Sequence, residues 1–378
     1  MTSRLPSYPL RVALLVAGVA LTATPVSSKP VEPAGDPVDL VIALDTSGTM
    51  RALIDTARVK IWEIINDLAA ADPTPLLRVG VVTYGNQIGS PADGWVRVEA
   101  DLTDDLDHVS ERLFALRVRG ANEYVGRALQ TSIESLNWSA SDDALMLLFL
   151  AGNEPPGQDP YVGYEEMSEL ARDRGILLNA VFCGRPESED AIGWKQMADL
   201  AEGQFATIDH SLPPVMTKTP VDRQLVELGE LMNQTYVPYG AAGKAKMKSR
   251  ARQDSNARKQ GLAVAATRAI TKASPVYSTA GDLVTAHEDG RVDVLSMAAS
   301  ELPRSMRRLT LEERLAFLED MSEIRKDLRE RIVEAATERH RIVAARAEPR
   351  RDNRTFDRLV RTTIRDRAQE AGFYFPKE

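Results

Sequence analysis

Cysteine is almost missing from this 378-residue chain: Cys183 is the only one. A single thiol excludes an intrachain disulfide framework and any zinc site built on several cysteines. Histidine is nearly as scarce. His108, His210, His287 and His340 are scattered, with no pair at metal-binding spacing. Cys183 closes an apolar run and has no histidine near it in sequence, so it reads as a buried, inert thiol. Aromatic residues make up 6% of the chain, and Trp62, Trp95, Trp138 and Trp194 read as core or capping aromatics. There is no Gly-x-Gly-x-x-Gly or Walker pattern, which leaves nucleotide binding unsupported. An excess of positive charge is also lacking. The net charge of −8 argues against a nucleic-acid partner. The longest early apolar run, Val12 to Ala23, is too short to span a bilayer comfortably.

That run has the marks of an export signal. Arg4 and Arg11 precede it, and the small residues Val26-Ser-Ser28 follow at a plausible cleavage point. No cysteine comes after it, which excludes lipid attachment of the lipoprotein type. Residues 1–28 are therefore read as a signal peptide, with an uncleaved anchor as the alternative, and 29–37 as a Pro-rich linker. The expectation is an exported protein of the periplasm, cell envelope or extracellular space, with no transmembrane segment in the mature chain.

The rest has an ordinary globular composition, 43% hydrophobic and 27% charged. Short apolar runs, Val38–Leu44, Leu77–Tyr84, Leu145–Leu150 and Ile176–Phe182, alternate with amphipathic segments such as Leu53–Ala70, Val125–Leu136, Met167–Arg174 and Ile192–Ala201. Gln204–Ile208 could add an edge strand. Strands this uniformly apolar are usually covered on both faces, as in a parallel sheet. The pattern predicts a doubly wound, mostly parallel α/β domain over residues 38–239. Beyond Tyr239 the strand-like runs stop, and 240–378 predicts an α-helical extension, partly an extended hairpin. Thr310 and Glu313 form a capping box at the start of a long amphipathic helix. Its apolar stripe runs through Leu311, Leu315, Leu318, Met321, Ile324, Leu328 and Ile332. The charge density of this region reads as solvated helix faces.

Asp45-Thr46-Ser47-Gly48-Thr49 follows the first strand and precedes a helix, the place where open α/β sheets bind ligands. In an extended loop, residues at i, i+2 and i+4 point the same way. Asp45, Ser47 and Thr49 would thus present one carboxylate and two hydroxyls to one point. Hard oxygen donors suit Mg²⁺, Mn²⁺ or Ca²⁺ rather than zinc or copper. The competing reading gives Ser47 or Thr49 to capping the helix that follows. An aspartic protease would need Asp-Thr-Gly or Asp-Ser-Gly twice, and a haloacid-dehalogenase phosphatase a second Asp where Ser47 stands.

On these residues the chain resembles the von Willebrand factor A (vWA) family, whose first strand ends in Asp-x-Ser-x-Ser. Leu77–Tyr84 resembles the family's second core strand, and Asp101–Asp104 its segment leading into the next helix. Gly120–Leu129 resembles the second metal loop and following helix, and Leu147–Pro156 the fourth strand and its loop. The likeness covers Val38 to about Tyr239 and looks closest to an exported bacterial branch with a helical C-terminal extension. The resemblance implies a Rossmann-like fold and a divalent-cation site at the top of the sheet. Two loops depart from the family pattern. Asn122-Glu123 stands where a Thr is usual, and Gly152, followed by Asn153 and Glu154, where an Asp is usual. Glu123 or Asn153 could substitute, so the expected metal ligands are Asp45, Ser47, Thr49 and Glu123, with Mg²⁺ the first choice of ion.

These readings imply a non-enzymatic binding module that recruits an acidic group of a protein or glycan partner. The alternative is a structural protein whose helical extension mediates association while the metal site is vestigial. An enzymatic reading would rest on Asn153, Glu154 and Asp159 alone, with no nucleophile–base arrangement behind it.

Overall fold

The computed structural model describes residues 35–87, 90–120, 122–208, 216–346 and 356–375. The signal expected over 1–28 and most of the linker at 29–37 lie outside the described residues. Among those described, no helix is long and apolar enough to cross a membrane.

Nine residues of nearly unbroken apolar character, Pro37–Asp45, make β1, which is buried along almost its whole length. β1 lies inside a six-stranded sheet between β2 (Leu76–Tyr84) and β4 (Leu145–Gly152), and pairs in parallel with both. Outward from β4 come β5 (Ile176–Phe182) and β6 (Phe205–Thr207), also parallel. β3 (Arg97–Thr103) closes the other edge antiparallel to β2. The chain builds from β1 towards β3 and then crosses back to β4. The winding therefore reverses between β1 and β4, which opens a crevice at their carboxyl ends.

Both faces are covered, as the apolar strands require. α1 (Arg51–Ala69) and α2 (Leu106–Ala115) pack in one core layer, and α3 (Val125–Glu134), α4 (Tyr164–Asp173) and α5 (Ala191–Leu200) in the other. The segment expected only to lead into a helix, Asp101–Asp104, is instead largely the end of strand β3. β3 carries buried Glu99, held by Arg112 and Thr83, and its register with β2 slips twice. Val98, Ala100 and Leu102 alternate with polar residues along β3, the period-2 pattern that marks a strand in sequence, so this edge strand was legible there.

The C-terminal helices are α6 (Asp222–Gln234), α7 (Gly240–Gln260), α8 (Leu262–Ala273), α9 (Leu283–Glu288), α10 (Leu311–Arg346) and α11 (Phe356–Glu370). α10 has 36 residues, roughly 54 Å at 1.5 Å per residue. Its capping box forms: Glu313 N–H donates to Thr310 Oγ1 at 3.2 Å, and Thr310 N–H to Glu313 Oε2 at 2.7 Å. These helices do not project as a hairpin. α8 and α11 lie on α1, α7 lies on α2, and α10 lies on α6, α8 and α9.

Buried ion pairs tie these helices together, so much of the charge read as solvated is internal. Arg268 is 1% exposed and bonds Asp107 of α2 at 2.8 Å and Asp254 of α7 at 2.6 Å. Burial would raise the Asp254 carboxyl, but Arg268 and Lys272 beside it hold it down to about 2. Burial pushes the Lys272 amine down to about 8 against the pull of Asp254. On α10, Arg325 reaches Asp282 at 2.7 Å and stacks over the Tyr236 ring at 4.5 Å, with Arg250 over the same ring at 3.4 Å. Arg325 thus shares the inward face of α10 with Leu318, Leu328 and Ile332, while Leu311 and Ile324, at the margins of the expected stripe, are exposed.

Candidate functional site

At the carboxyl end of β1 the register sets Asp45 opposite Tyr84. Thr46 N–H and Oγ1 both donate to the Tyr84 carbonyl at 2.9 Å, anchoring the loop where the strand stops. Asp45 is fully buried. Its Oδ1 accepts Ser47 N–H at 2.7 Å and its Oδ2 accepts Ser47 Oγ at 3.1 Å. Thr49 Oγ1 lies 3.5 Å from Ser47 Oγ and donates to Asn153 Oδ1 at 3.4 Å. The i, i+2, i+4 residues thus face one point, as the sequence predicts. Neither hydroxyl caps the helix. α1 begins after Met50, which makes no side-chain cap, so the competing capping role for Ser47 and Thr49 is not the one adopted.

The second loop closes over the first. Arg119 N–H donates to the Thr46 carbonyl at 2.9 Å, and Gly48 N–H to the Gly120 carbonyl at 3.2 Å. Gly120 takes φ +123°, and a Cβ there would lie 2.2 Å from the Gly85 carbonyl, so only glycine lets the two loops approach this closely. Three residues on, just before α3, Glu123 turns inward, 4% exposed, into hydrogen-bond reach of both Asp45 and Ser47. The backbone N–H of Glu154, in the third loop, acts on the Glu123 carboxylate and favours its charged form. Asp45, Ser47, Thr49 and Glu123 are therefore brought together by two loops, with Asn153 of the third at the rim.

Two carboxyls in contact cannot both be charged at low cost. Burial, with the Glu123 charge adding to it, lifts Asp45 well above the usual carboxylate range. Burial lifts Glu123 as well. Such a pair calls for a shared proton or a cation. Two carboxylates and two hydroxyls are hard oxygen donors, and their chemistry fits a divalent cation of the Mg²⁺ or Ca²⁺ type. The exposed Gly48 and Thr49 leave one side of the cluster open. Among the described residues, no three His, Cys, Asp or Glu side chains are grouped so as to hold a metal, so any ion here must rely on the hydroxyls.

The sequence did not point to Tyr84, Gly85 and Trp194. Gly85 (φ +75°) leaves room for the pair, because a Cβ there would lie 2.7 Å from Asp45 Oδ1 and 3.2 Å from Glu123 Cγ. Gly152 is glycine for a similar reason. A Cβ on it would lie 2.2 Å from the Tyr84 hydroxyl and 3.0 Å from the Trp194 ring. Tyr84 is held there by donating to the Ala151 carbonyl at 2.9 Å, and Trp194 by donating to the Glu154 carbonyl at 2.8 Å. An aspartate at position 152 therefore has no room. Burial, with the charges of Asp45 and Glu123 adding, raises both the Tyr84 phenol and the Cys183 thiol, which keeps Cys183 protonated.

Comparison with known proteins agrees with this architecture. Residues 39–206, from β1 into β6, match the von Willebrand factor type A domain. The sheet and its flanking helices have the vWA fold, followed here by the C-terminal helices. Proximal thread matrix protein 1 from the mussel byssus, solved with a zinc-occupied MIDAS motif, is similar at 15% identity and a TM-score of 0.36, covering 47% of this chain and 43% of that one. The SpRpn10 VWA domain is similar at 14% identity and 0.36, covering 50% of this chain and 94% of that one. The pilus adhesin SpaC from Lactobacillus rhamnosus GG is similar at 14% and 0.36, covering 47% and 28%. No curated protein matches the chain.

Proposed function

We propose that the chain is an exported binding module, not an enzyme, that holds a divalent cation at Asp45, Ser47, Thr49 and Glu123 and engages an acidic group of a protein or glycan partner through it. The observation that carries this reading is the apposition of Asp45 and Glu123, two buried carboxyls in contact beneath two hydroxyls. When bound, the ion would neutralise the pair and offer an open coordination position to a partner's oxygen. Mg²⁺ suits the compact donor set best, with Mn²⁺ and Ca²⁺ as alternatives. Asp45 and Glu123 supply the charge, Ser47 and Thr49 supply neutral oxygens, and Asn153 orients Thr49. Location in the periplasm, envelope or extracellular space rests on the sequence of residues 1–28.

The test is calorimetric titration of the full chain with Mg²⁺, Mn²⁺ and Ca²⁺, beside Asp45→Asn and Glu123→Gln. Asn and Gln keep the shape and remove the charge. Wild type should bind at least one ion, with affinity reduced about 100-fold or more in Asp45→Asn, the loss of a buried charge–ligand contact. Unchanged affinity in Asp45→Asn, or no ion bound by the wild type, would sink the proposal.

A further inference from the structure

Two helices of the C-terminal region carry opposite charge on their outer faces. On α7, the exposed Lys244, Lys248, Arg252 and Lys259 lie on one seam, with exposed Ala245, Ala251 and Ser255 between them. On α10, the exposed Asp320, Glu323, Asp327, Glu330 and Glu334 follow one another at intervals of three and four, the spacing of a single helix face. Some of these charges already have local partners: Arg252 pairs with Glu111, and Arg331 approaches Asp327 at 3.4 Å. The neighbours Lys246 and Arg258 are likewise paired with Asp105 and Glu230.

The two seams match in length. Lys244 to Lys259 spans about 22 Å and Asp320 to Glu334 about 21 Å at the helical rise. They also match in relief. Ile324 and Val333, 46% and 60% exposed, flank the acidic seam, while the basic seam presents only small residues between its cations. A large apolar side chain on one helix facing alanine on the other is how helices approach closely. Within one molecule these faces are not partners, since α7 packs on α2 and α8, and α10 on α6, α8 and α9.

From this complementarity we infer that the chain associates with a second copy of itself, the basic face of α7 in one molecule lying along the acidic face of α10 in the other. The contact joins two different surfaces, so it is heterologous, and it does not involve the Asp45 loop. The net charge of −8 makes whole molecules repel. At about 0.1 M salt the screening length is about 10 Å, so the seams attract at contact while the distant charge is damped; at about 1 M it is about 3 Å and the attraction goes too.

Sedimentation of the full chain tests the inference, with a chelator present so that bridging through a cation plays no part. At about 0.1 M salt the wild type should self-associate with rising concentration, and its dissociation constant should rise at least about tenfold at about 1 M. The triple variant Lys244→Glu, Lys248→Glu, Lys259→Glu should be monomeric, as should Asp320→Lys, Glu323→Lys, Glu330→Lys. Mixed together, the two variants should associate again, because each then offers the face that the other lacks. All six positions are exposed, so circular dichroism and melting should match the wild type. A wild type that stays monomeric at about 0.1 M, association untouched by the α7 reversals, or a mixture that fails to associate would each overturn it. Asp45→Asn should self-associate like the wild type, which separates this inference from the cation site.

Discussion

Gly152 is the position where the packing around the site makes its sharpest demand. A Cβ placed there would sit 2.2 Å from the Tyr84 hydroxyl and 3.0 and 3.1 Å from two Trp194 ring atoms. All of these side chains are fully buried, and the hydroxyl is engaged with the Ala151 carbonyl. Gly152→Ala must therefore displace Tyr84. Overpacking of this kind costs about 1–3 kcal/mol, and the displaced hydrogen bond adds about 1 kcal/mol. Restricting the unfolded chain by replacing glycine returns about 0.4–1 kcal/mol. The expected net loss is roughly 1–3 kcal/mol, read from the midpoint of equilibrium urea unfolding followed by tryptophan fluorescence. The cause can be isolated with Tyr84→Phe, which deletes the clashing oxygen. The double variant should be less destabilised than the sum of the single changes by about 1 kcal/mol, the scale of coupling between touching residues. If Gly152→Ala lies within about 0.5 kcal/mol of wild type, the range of an uneventful surface change, or if the double variant is additive, the packing account of position 152 is wrong.

Acid should weaken the helical region through Asp254. Its folded pKa of about 2 lies below the ordinary 3.8, so the stability it confers is full above pH 4 and lost as the pH falls towards 2. The difference corresponds to roughly 2 kcal/mol at 1.36 kcal/mol per unit, and Asp254→Asn should flatten that part of a stability–pH curve. A slope unchanged in Asp254→Asn would assign the acid transition elsewhere. Arg325→Ala leaves Asp282 buried without its guanidinium and should cost about 3–5 kcal/mol in urea unfolding. A loss under about 1 kcal/mol would mean that the Arg325–Asp282 pair does not hold α10 down.

What could be read in the sequence was what depends on near neighbours along the chain. Val38–Leu44 and Ile176–Phe182 are apolar at every step but one each, Asp39 and Asn179, because both faces of those strands are covered, and their limits came within a residue or two. The capping box at Thr310 is a four-residue device and begins α10 where expected. The alternation of Val98, Ala100 and Leu102 with polar residues made β3 legible as a strand, but the burial of its Glu99 was hidden, because that depends on Arg112, a partner thirteen positions later. The buried cations were hidden for the same reason. Arg268 and Arg325 look like solvent-facing helix charges until Asp107 and Asp282, distant in sequence, are brought against them.

The candidate site divides along the same line. Asp45, Ser47 and Thr49 converge through one local loop, so spacing alone could place them on one point. That Glu123 touches Asp45 depends on contacts which no spacing encodes. Gly120 must pass within contact of Gly85, Gly85 must carry no side chain beside Asp45, and Glu154 must turn its N–H towards Glu123. Gly152 shows how these contacts interlock. Tyr84 pairs with Asp45 across β1 and β2, and its hydroxyl crosses to the end of β4, where it fills the space that a third-loop carboxylate would need. With that position closed, the second acidic group of the cluster comes from the other side, at Glu123. Two departures from the family pattern that look independent in sequence are thus parts of one arrangement. A Gly152→Asp change made to restore the missing carboxylate should therefore disrupt the site unless Tyr84 is altered with it.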